Sequence, residues 1–116
     1  MYKIGVDLGG TNIAAGIVDE NGKIVLSGST PTLAGRPYEE IIADMGKLIN
    51  DLIAKKGLTV ADIESVGIGS PGAVKNGYVV FSNNLGWRNV PLTKELQKYI
   101  NVPVYADNDA NVAALA

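Results

Sequence analysis

A carboxylate closes an apolar strand and is followed by two glycines and a hydroxyl, in Val6-Asp7-Leu8-Gly9-Gly10-Thr11-Asn12. Directly after comes Ile13-Ala14-Ala15-Gly16-Ile17-Val18, which reads as a second strand. Glycines that open a helix mark a P-loop or a dinucleotide turn, whereas glycines between two strands mark a hairpin. The chain is therefore expected to begin as an antiparallel hairpin with Gly9 and Gly10 at its tip. Lacking a Cβ, they let a polyphosphate approach the backbone and can aim N–H groups at its oxygens. Asp7 would then face the accompanying metal ion. Gly-Gly is equally an ordinary hairpin-turn signal, so the residues alone leave a phosphate hairpin and a plain turn both open.

The meander continues. Tyr2 to Leu8 and Asn12 to Val18 are the first two strands, Asp19-Glu20-Asn21-Gly22 is a tight turn, and Lys23 to Thr30 is the third strand. After a loop over Pro31 to Arg36, Pro37 opens a helix with Glu39 and Glu40 in its first turn, Lys55 and Lys56 in its last, and Gly57 as its stop. Ile41, Met45, Leu48 and Leu52, flanked by Ile42, Ile49 and Ile53, give it a face that packs on a sheet. Thr59 to Glu64 is a helical turn, Ser65 to Gly69 a central strand, and Val79 to Phe81 a short edge strand after the turn at Lys75-Asn76-Gly77. Thr93 to Ile100 reads as an amphipathic helix with Leu96 and Ile100 inward, and Val102 to Ala106 as the last strand. Three antiparallel strands followed by right-handed parallel crossovers define the expected α/β fold.

Composition narrows the chemistry. The 116 residues suit one domain, with 47% hydrophobic and 19% charged residues. A net charge of −2 gives no electrostatic footprint for nucleic acid or an anionic membrane, so a bound polyphosphate would be held by backbone dipoles and a metal. With no cysteine and no histidine, the chain offers neither a thiol nucleophile nor imidazole acid–base catalysis, nor the N/S ligands of zinc. No signal peptide or bilayer-length apolar run is visible, and a cytoplasmic location is expected. Asp109 to Ala116 reads as two turns of an apolar helix without a C-cap, which suggests the N-terminal portion of something larger.

Three further segments carry polar chemistry. Gly67-Ile68-Gly69-Ser70-Pro71-Gly72 matches G-x-G-x-x-G, but no amphipathic helix follows before Pro91, so it reads as a loop shaping a ligand site or as a plain turn. Ser82-Asn83-Asn84-Leu85-Gly86-Trp87 offers two carboxamides, which donate and accept as sugar hydroxyls do, beside the sole tryptophan. A turn braced by a half-buried Trp would use the same residues. Asp107-Asn108-Asp109-Ala110-Asn111 ends the last strand and starts a helix. Capping accounts for one or two of these polar groups. A carboxylate at Asp7 for Mg²⁺ and another at Asp109 to take a hydroxyl proton is the arrangement phosphoryl transfer needs.

Together these residues resemble a known family. Asp7-Leu8-Gly9-Gly10-Thr11-Asn12 is similar to the first phosphate motif of the sugar kinase/heat-shock/actin superfamily, whose lobes have a ribonuclease H-like fold. The segments Gly67 to Gly72, Asn84-Leu85-Gly86-Trp87 and Asn108-Asp109-Ala110-Asn111 resemble, in order and spacing, the N-terminal domain of ROK-family sugar kinases, bacterial glucokinases above all. The resemblance covers the whole chain; the first motif is superfamily-wide and the three together are more specific. It implies ATP and Mg²⁺ as cofactors and a hexose, foremost glucose, as substrate. Asp109 would match the catalytic base and Asn108 a sugar ligand, with Asn84 and the Gly72 region on the sugar rim. Gly9, Gly10, Thr11 and Asn12 would form the ATP-phosphate hairpin, with Asp7 near Mg²⁺, directly or through water.

Two departures stand out. The family's Asn-Leu-Pro-Gly-Trp lacks its proline here, and the second-lobe features, a Glu-x-Gly-His sugar motif and a cysteine-rich zinc site, are absent. The chain alone is thus expected to lack a complete active site and to form homo-oligomers. A winged-helix DNA-binding domain, as in the family's repressors, is not expected, since the first strand starts at residue 2. Alternatives to the kinase lobe are a sugar- or phosphate-binding module without turnover and an excised structural domain that self-associates.

Overall fold

Alternation builds the first strand: in β1 (Tyr2–Leu8), Ile4, Val6 and Leu8 are buried while Lys3, Gly5 and Asp7 are exposed. This computed structural model describes residues 1–108. The hairpin partner β2 (Asn12–Val18) and then β3 (Ile24–Pro31) pair antiparallel, as the sequence leads one to expect. The connecting turn is an Asx turn: Asp19 Oδ1 accepts from the amides of Asn21 and Lys23, at 2.9 and 3.0 Å.

The long helix α1 (Tyr38–Lys55) follows Pro37 and stops before Gly57, whose φ of +75° only glycine adopts freely. Its buried face comprises Ile41, Ile42, Met45, Ile49, Leu52 and Ile53, packed against β2 and β3. Leu48 is only half-buried. Gly46 belongs to the buried face for a reason periodicity does not show: a Cβ there would lie 2.5 Å from Cβ of Tyr99.

A helical turn at Val60–Asp62, closed by a Thr59/Asp62 capping box, leads into β4 (Ile63–Ser70), parallel to β1. The chain then leaves the main sheet to form β5 (Ala73–Lys75), β6 (Tyr78–Ser82) and β7 (Trp87–Val90), and returns through α2 (Leu92–Leu96) to β8 (Val104–Asn108), parallel to β4. The main sheet has the order β3-β2-β1-β4-β8; a second, three-stranded sheet has the order β5-β6-β7. The meander-then-crossover architecture is as expected.

Four details differ from the sequence reading. The helical turn ends at Asp62 rather than Glu64, because Ile63 and Glu64 already belong to β4. Val79 to Phe81 forms the middle of the second sheet rather than an edge, because both flanking segments pair with it. The second helix is shorter than Thr93 to Ile100: beyond Leu96 the chain tightens into i→i−3 bonds, Lys98 to Glu95 and Tyr99 to Leu96, although Leu96 and Ile100 do point inward. The last strand starts at Val104, after Pro103, and runs on to Asn108. Pro103 has no amide to give, but its carbonyl accepts from Val66 at 3.0 Å and guides β8 into place.

The core lies between the main sheet and the two helices. On the sheet's other face, among the described residues, Lys3, Gly5, Ala14 and Tyr105 are exposed, Tyr105 at 65%.

Candidate functional site

Parallel pairing brings the C-terminal ends of β1, β4 and β8 to one edge of the sheet. Asp7 is level with Gly69, and Gly69 with Asp107; one step on, Ser70 is level with Asn108. Loops beyond such an edge are where open α/β sheets hold ligands. Asp7 is exposed there, and the carboxylate of Asp107 accepts from the amide of Asn108 at 2.8 Å.

The hairpin tip rises from the same edge. The amide of Gly9 donates to the carbonyl of Asn12 at 3.0 Å, and a Cβ on Gly9 would sit 2.9 Å from that oxygen, so the turn needs glycine. Among the described residues, the amides of Gly10 and Thr11 have no hydrogen-bond partner in the protein. Two unused donors on a half-exposed turn are the kind of group an anion-binding turn requires. Behind the tip, buried Thr32 donates its hydroxyl to the carbonyl of Gly9 at 2.7 Å and its amide to the carbonyl of Thr11 at 2.8 Å.

The carboxamide turn adjoins this hairpin. A Cβ on Gly10 would lie 3.3 Å from Cβ of Asn84 and 3.5 Å from its carbonyl oxygen. The turn closes through Gly86 N–H to Asn83 carbonyl at 3.3 Å, with Gly86 at φ +67° and Asn84 exposed. Leu85 and Trp87, each 4% exposed, pin it to the core. Trp87 meets the ring of Tyr38 edge to face at 6.4 Å, and its indole Nε1 is buried without a partner among the described residues. The bracing role of Trp87 is thus visible, and the sequence read this side chain as a brace or a sugar platform.

Gly72 sits beside the same turn, but its first duty is structural. Its φ is +88°, and a Cβ would lie 2.1 Å from the carbonyl oxygen of Phe81 and 2.9 Å from Cα of Ser82. The G-x-G-x-x-G segment runs as strand, tight turn and strand, so it opens no helix and offers no dinucleotide site. Gly9, Gly10, Thr11, Asn12 and Asn84 are therefore brought together, Asp7 and Asn108 share the sheet edge, and Gly72 supports the turn from behind. Asp109, and the helix read over residues 109–116, lie outside the described residues.

Among the described residues no three acidic, histidine or cysteine side chains converge as a metal cage. A lone strand-end carboxylate fits Mg²⁺, which keeps its waters and binds through one or two carboxylates plus phosphate oxygens. No helix of the described residues is long and apolar enough to cross a membrane. The ion pair of Met1 with Glu20 lies at the turn between β2 and β3, away from this edge.

The model of the ROK family matches residues 3–116. The glucokinase of Thermotoga maritima is 43% identical over 118 residues, which cover 97% of this chain and 35% of that protein. The xylose repressor of Caldicellulosiruptor bescii is 34% identical, over 97% of this chain and 29% of the repressor. Among solved structures, the ROK family glucokinase of Streptomyces griseus in complex with glucose and AMPPNP superposes with a TM-score of 0.84 at 36% identity, covering 98% of this chain and 35% of that one. The chain spans about a third of the length of the curated relatives it matches.

Proposed function

Since this chain belongs to the ROK family, we propose that it is the N-terminal lobe of an ATP-dependent hexose kinase of the glucokinase type. Its task is to seat the phosphates of ATP and one rim of the sugar so that the γ-phosphoryl group passes in line to a sugar hydroxyl. The observation that carries this reading is the contact between the two halves of the site, Gly10 against Asn84. A phosphate cradle and a hydroxyl-binding carboxamide turn so close together suit donor and acceptor meeting at one point, where positioning supplies most of the catalysis.

In this reading the amides of Gly10 and Thr11 take phosphate oxygens, with Gly9 and Asn12 shaping the turn. Asn84 and Asn108 hold sugar hydroxyls through groups that both donate and accept. Asp109 takes the proton of the attacking hydroxyl as phosphorus–oxygen bond formation proceeds and the γ-phosphoryl group leaves ADP. Mg²⁺, when bound, neutralises charge on the phosphate oxygens, and Asp7 is the residue to hold it, directly or through water. The remaining enclosure belongs to the other two-thirds of the protein, and self-association of the full-length enzyme is part of the proposal.

The test is Asp109→Asn in the full-length protein, followed by a coupled assay of glucose phosphorylation. The amide keeps the shape but cannot take the proton, so kcat should fall by about 10² or more with KM for sugar nearly unchanged. Near-full activity would reduce Asp109 to a helix cap. The match to a xylose repressor motivates a second reading, a sugar-sensing module without turnover; sugar binding with no phosphoryl transfer by the wild-type protein would select it.

A further inference from the structure

Thr32 lies in the loop after β3, yet it is completely buried, and both of its donors are spent on the glycine hairpin. The hydroxyl reaches the carbonyl of Gly9 at 2.7 Å and the amide reaches the carbonyl of Thr11 at 2.8 Å. In a planar trans peptide the C=O of one residue and the N–H of the next point in opposite directions. Holding the Gly9 carbonyl toward Thr32 therefore turns the Gly10 amide away from it. Holding the Thr11 carbonyl does the same to the amide of Asn12.

Thr32 is itself held. Arg36 donates from Nη2 to the Thr32 carbonyl at 2.7 Å and to Asp44 Oδ2 on α1 at 2.9 Å, while its Nε donates to the Leu33 carbonyl at 3.1 Å. The guanidinium thus ties the loop to the long helix through a half-buried ion pair. A flexible Gly-Gly tip would sample many shapes when unsupported. Two carbonyl anchors, one on each side of the tip, restrict it to a shape in which the unused Gly10 amide faces away from Thr32.

We propose that Thr32 is the positioning residue of the phosphate hairpin, braced by Arg36 and Asp44, and that it sets the affinity for the nucleotide's phosphates without touching them. The proposal rests on the reading of the hairpin as the ATP-phosphate site. A preorganised cradle binds an anion without first giving up its own conformational freedom, so loosening it weakens ATP and leaves the sugar rim alone.

The experiment compares Thr32→Val, Thr32→Ser and Arg36→Met in the full-length protein, reading KM and kcat for ATP, KM for glucose and the thermal midpoint. Thr32→Val leaves the Gly9 carbonyl without its donor, and KM for ATP should rise about tenfold, the usual consequence of losing one buried hydrogen bond. KM for glucose should stay within about twofold, and Thr32→Ser, which restores the hydroxyl, should recover most of the ATP affinity. Should Thr32→Val fail to fold, Arg36→Met gives the decision. It keeps Thr32 but removes the brace, and a selective rise of about threefold in KM for ATP is expected, a smaller cost for a part-exposed group. A fold-stability loss with unchanged KM for ATP in the folded variant overturns the proposal. Were the wild-type protein to neither bind nor use ATP, the reading of the hairpin would fall instead, and the two failures are told apart by that control.

Discussion

Three glycine-to-alanine substitutions separate what the backbone needs from what a ligand needs. Gly5 has an ordinary φ, and an added Cβ would meet nothing within 4 Å among the described residues. Gly22 has φ +81° with open space, so alanine there meets conformational strain alone, about 1–2 kcal/mol. Gly72 combines φ +88° with a Cβ 2.1 Å from the Phe81 carbonyl oxygen, which is backbone and cannot rotate away. The strain is the same about 1–2 kcal/mol. Overpacking adds about 1–3 kcal/mol, since β6 must retreat from its pairing with β5 at Ala73 and Phe81. At about 4 °C per kcal/mol for a chain of this size, the thermal midpoint should move by about 8–20 °C for Gly72→Ala and about 4–8 °C for Gly22→Ala. For Gly5→Ala the shift should be zero or slightly upward. Circular dichroism melts of the three variants measure this directly. If Gly72→Ala melts with Gly22→Ala, the close approach to Phe81 is not there and the glycine's role must be sought in the ligand instead.

Other consequences follow from single contacts. Gly46→Ala places a Cβ 2.5 Å from Cβ of Tyr99 and should destabilise by about 1–3 kcal/mol; in a Tyr99→Gly background, which removes that Cβ and the ring, most of this penalty should vanish in a double-mutant cycle by urea denaturation. The isolated 116-residue chain should fold, fail to phosphorylate glucose, and self-associate through surface that the rest of the protein would cover, which sedimentation at several concentrations and a coupled assay will test. The Met1 ammonium hydrogen-bonds Glu20 and holds its carboxyl below its ordinary 4.5. The pair's stabilisation is thus complete between 4.5 and 8.0; it fades as pH falls through the lowered value of Glu20 and as pH rises through the raised value of the Met1 ammonium. Both partners are exposed, so the difference between wild type and Glu20→Gln in acid melts should be small and should vanish in high salt.

Local patterns carried the first half of the fold. β1, β2 and α1 are legible within a residue because alternation, a helical stripe and charged helix ends are each written in consecutive positions. The second sheet is not, since β5 and β7 have only three and four residues and exist by pairing with β6. The Asn76-Gly77 turn is the local signal for the β5–β6 hairpin. Gly9 and Gly10 announce themselves by adjacency, whereas Thr32 reaches back 23 positions to Gly9 and has no periodicity to mark it. Gly46 is silent for the same reason, its counterpart Tyr99 lying in a segment that no local rule connects to α1.

The site itself depends on register more than on motif spelling. Asp7 is level with Asp107 only because β1, β4 and β8 pair parallel in the steps Asp7–Gly69 and Gly69–Asp107. Side chains alternate faces along a strand, so a slip of one residue in β8 would send Asp107 to the helix-covered face and bring Asn108 level with Gly69. What resists that slip is apolar packing at the other end of the strand, where Val104 is buried level with Val66. The slip would carry Val104 out of the core together with its neighbour in the alternation, Ala106, against about 25 cal/mol for each Å² of apolar surface re-exposed. The polar end of β8 is thus placed by the apolar end. A substitution such as Val104→Ser, which touches no ligand in any reading of the site, should loosen the whole edge and weaken ATP and sugar together. That joint loss contrasts with the ATP-selective loss expected at Thr32, and the pair of phenotypes separates sheet register from hairpin shape.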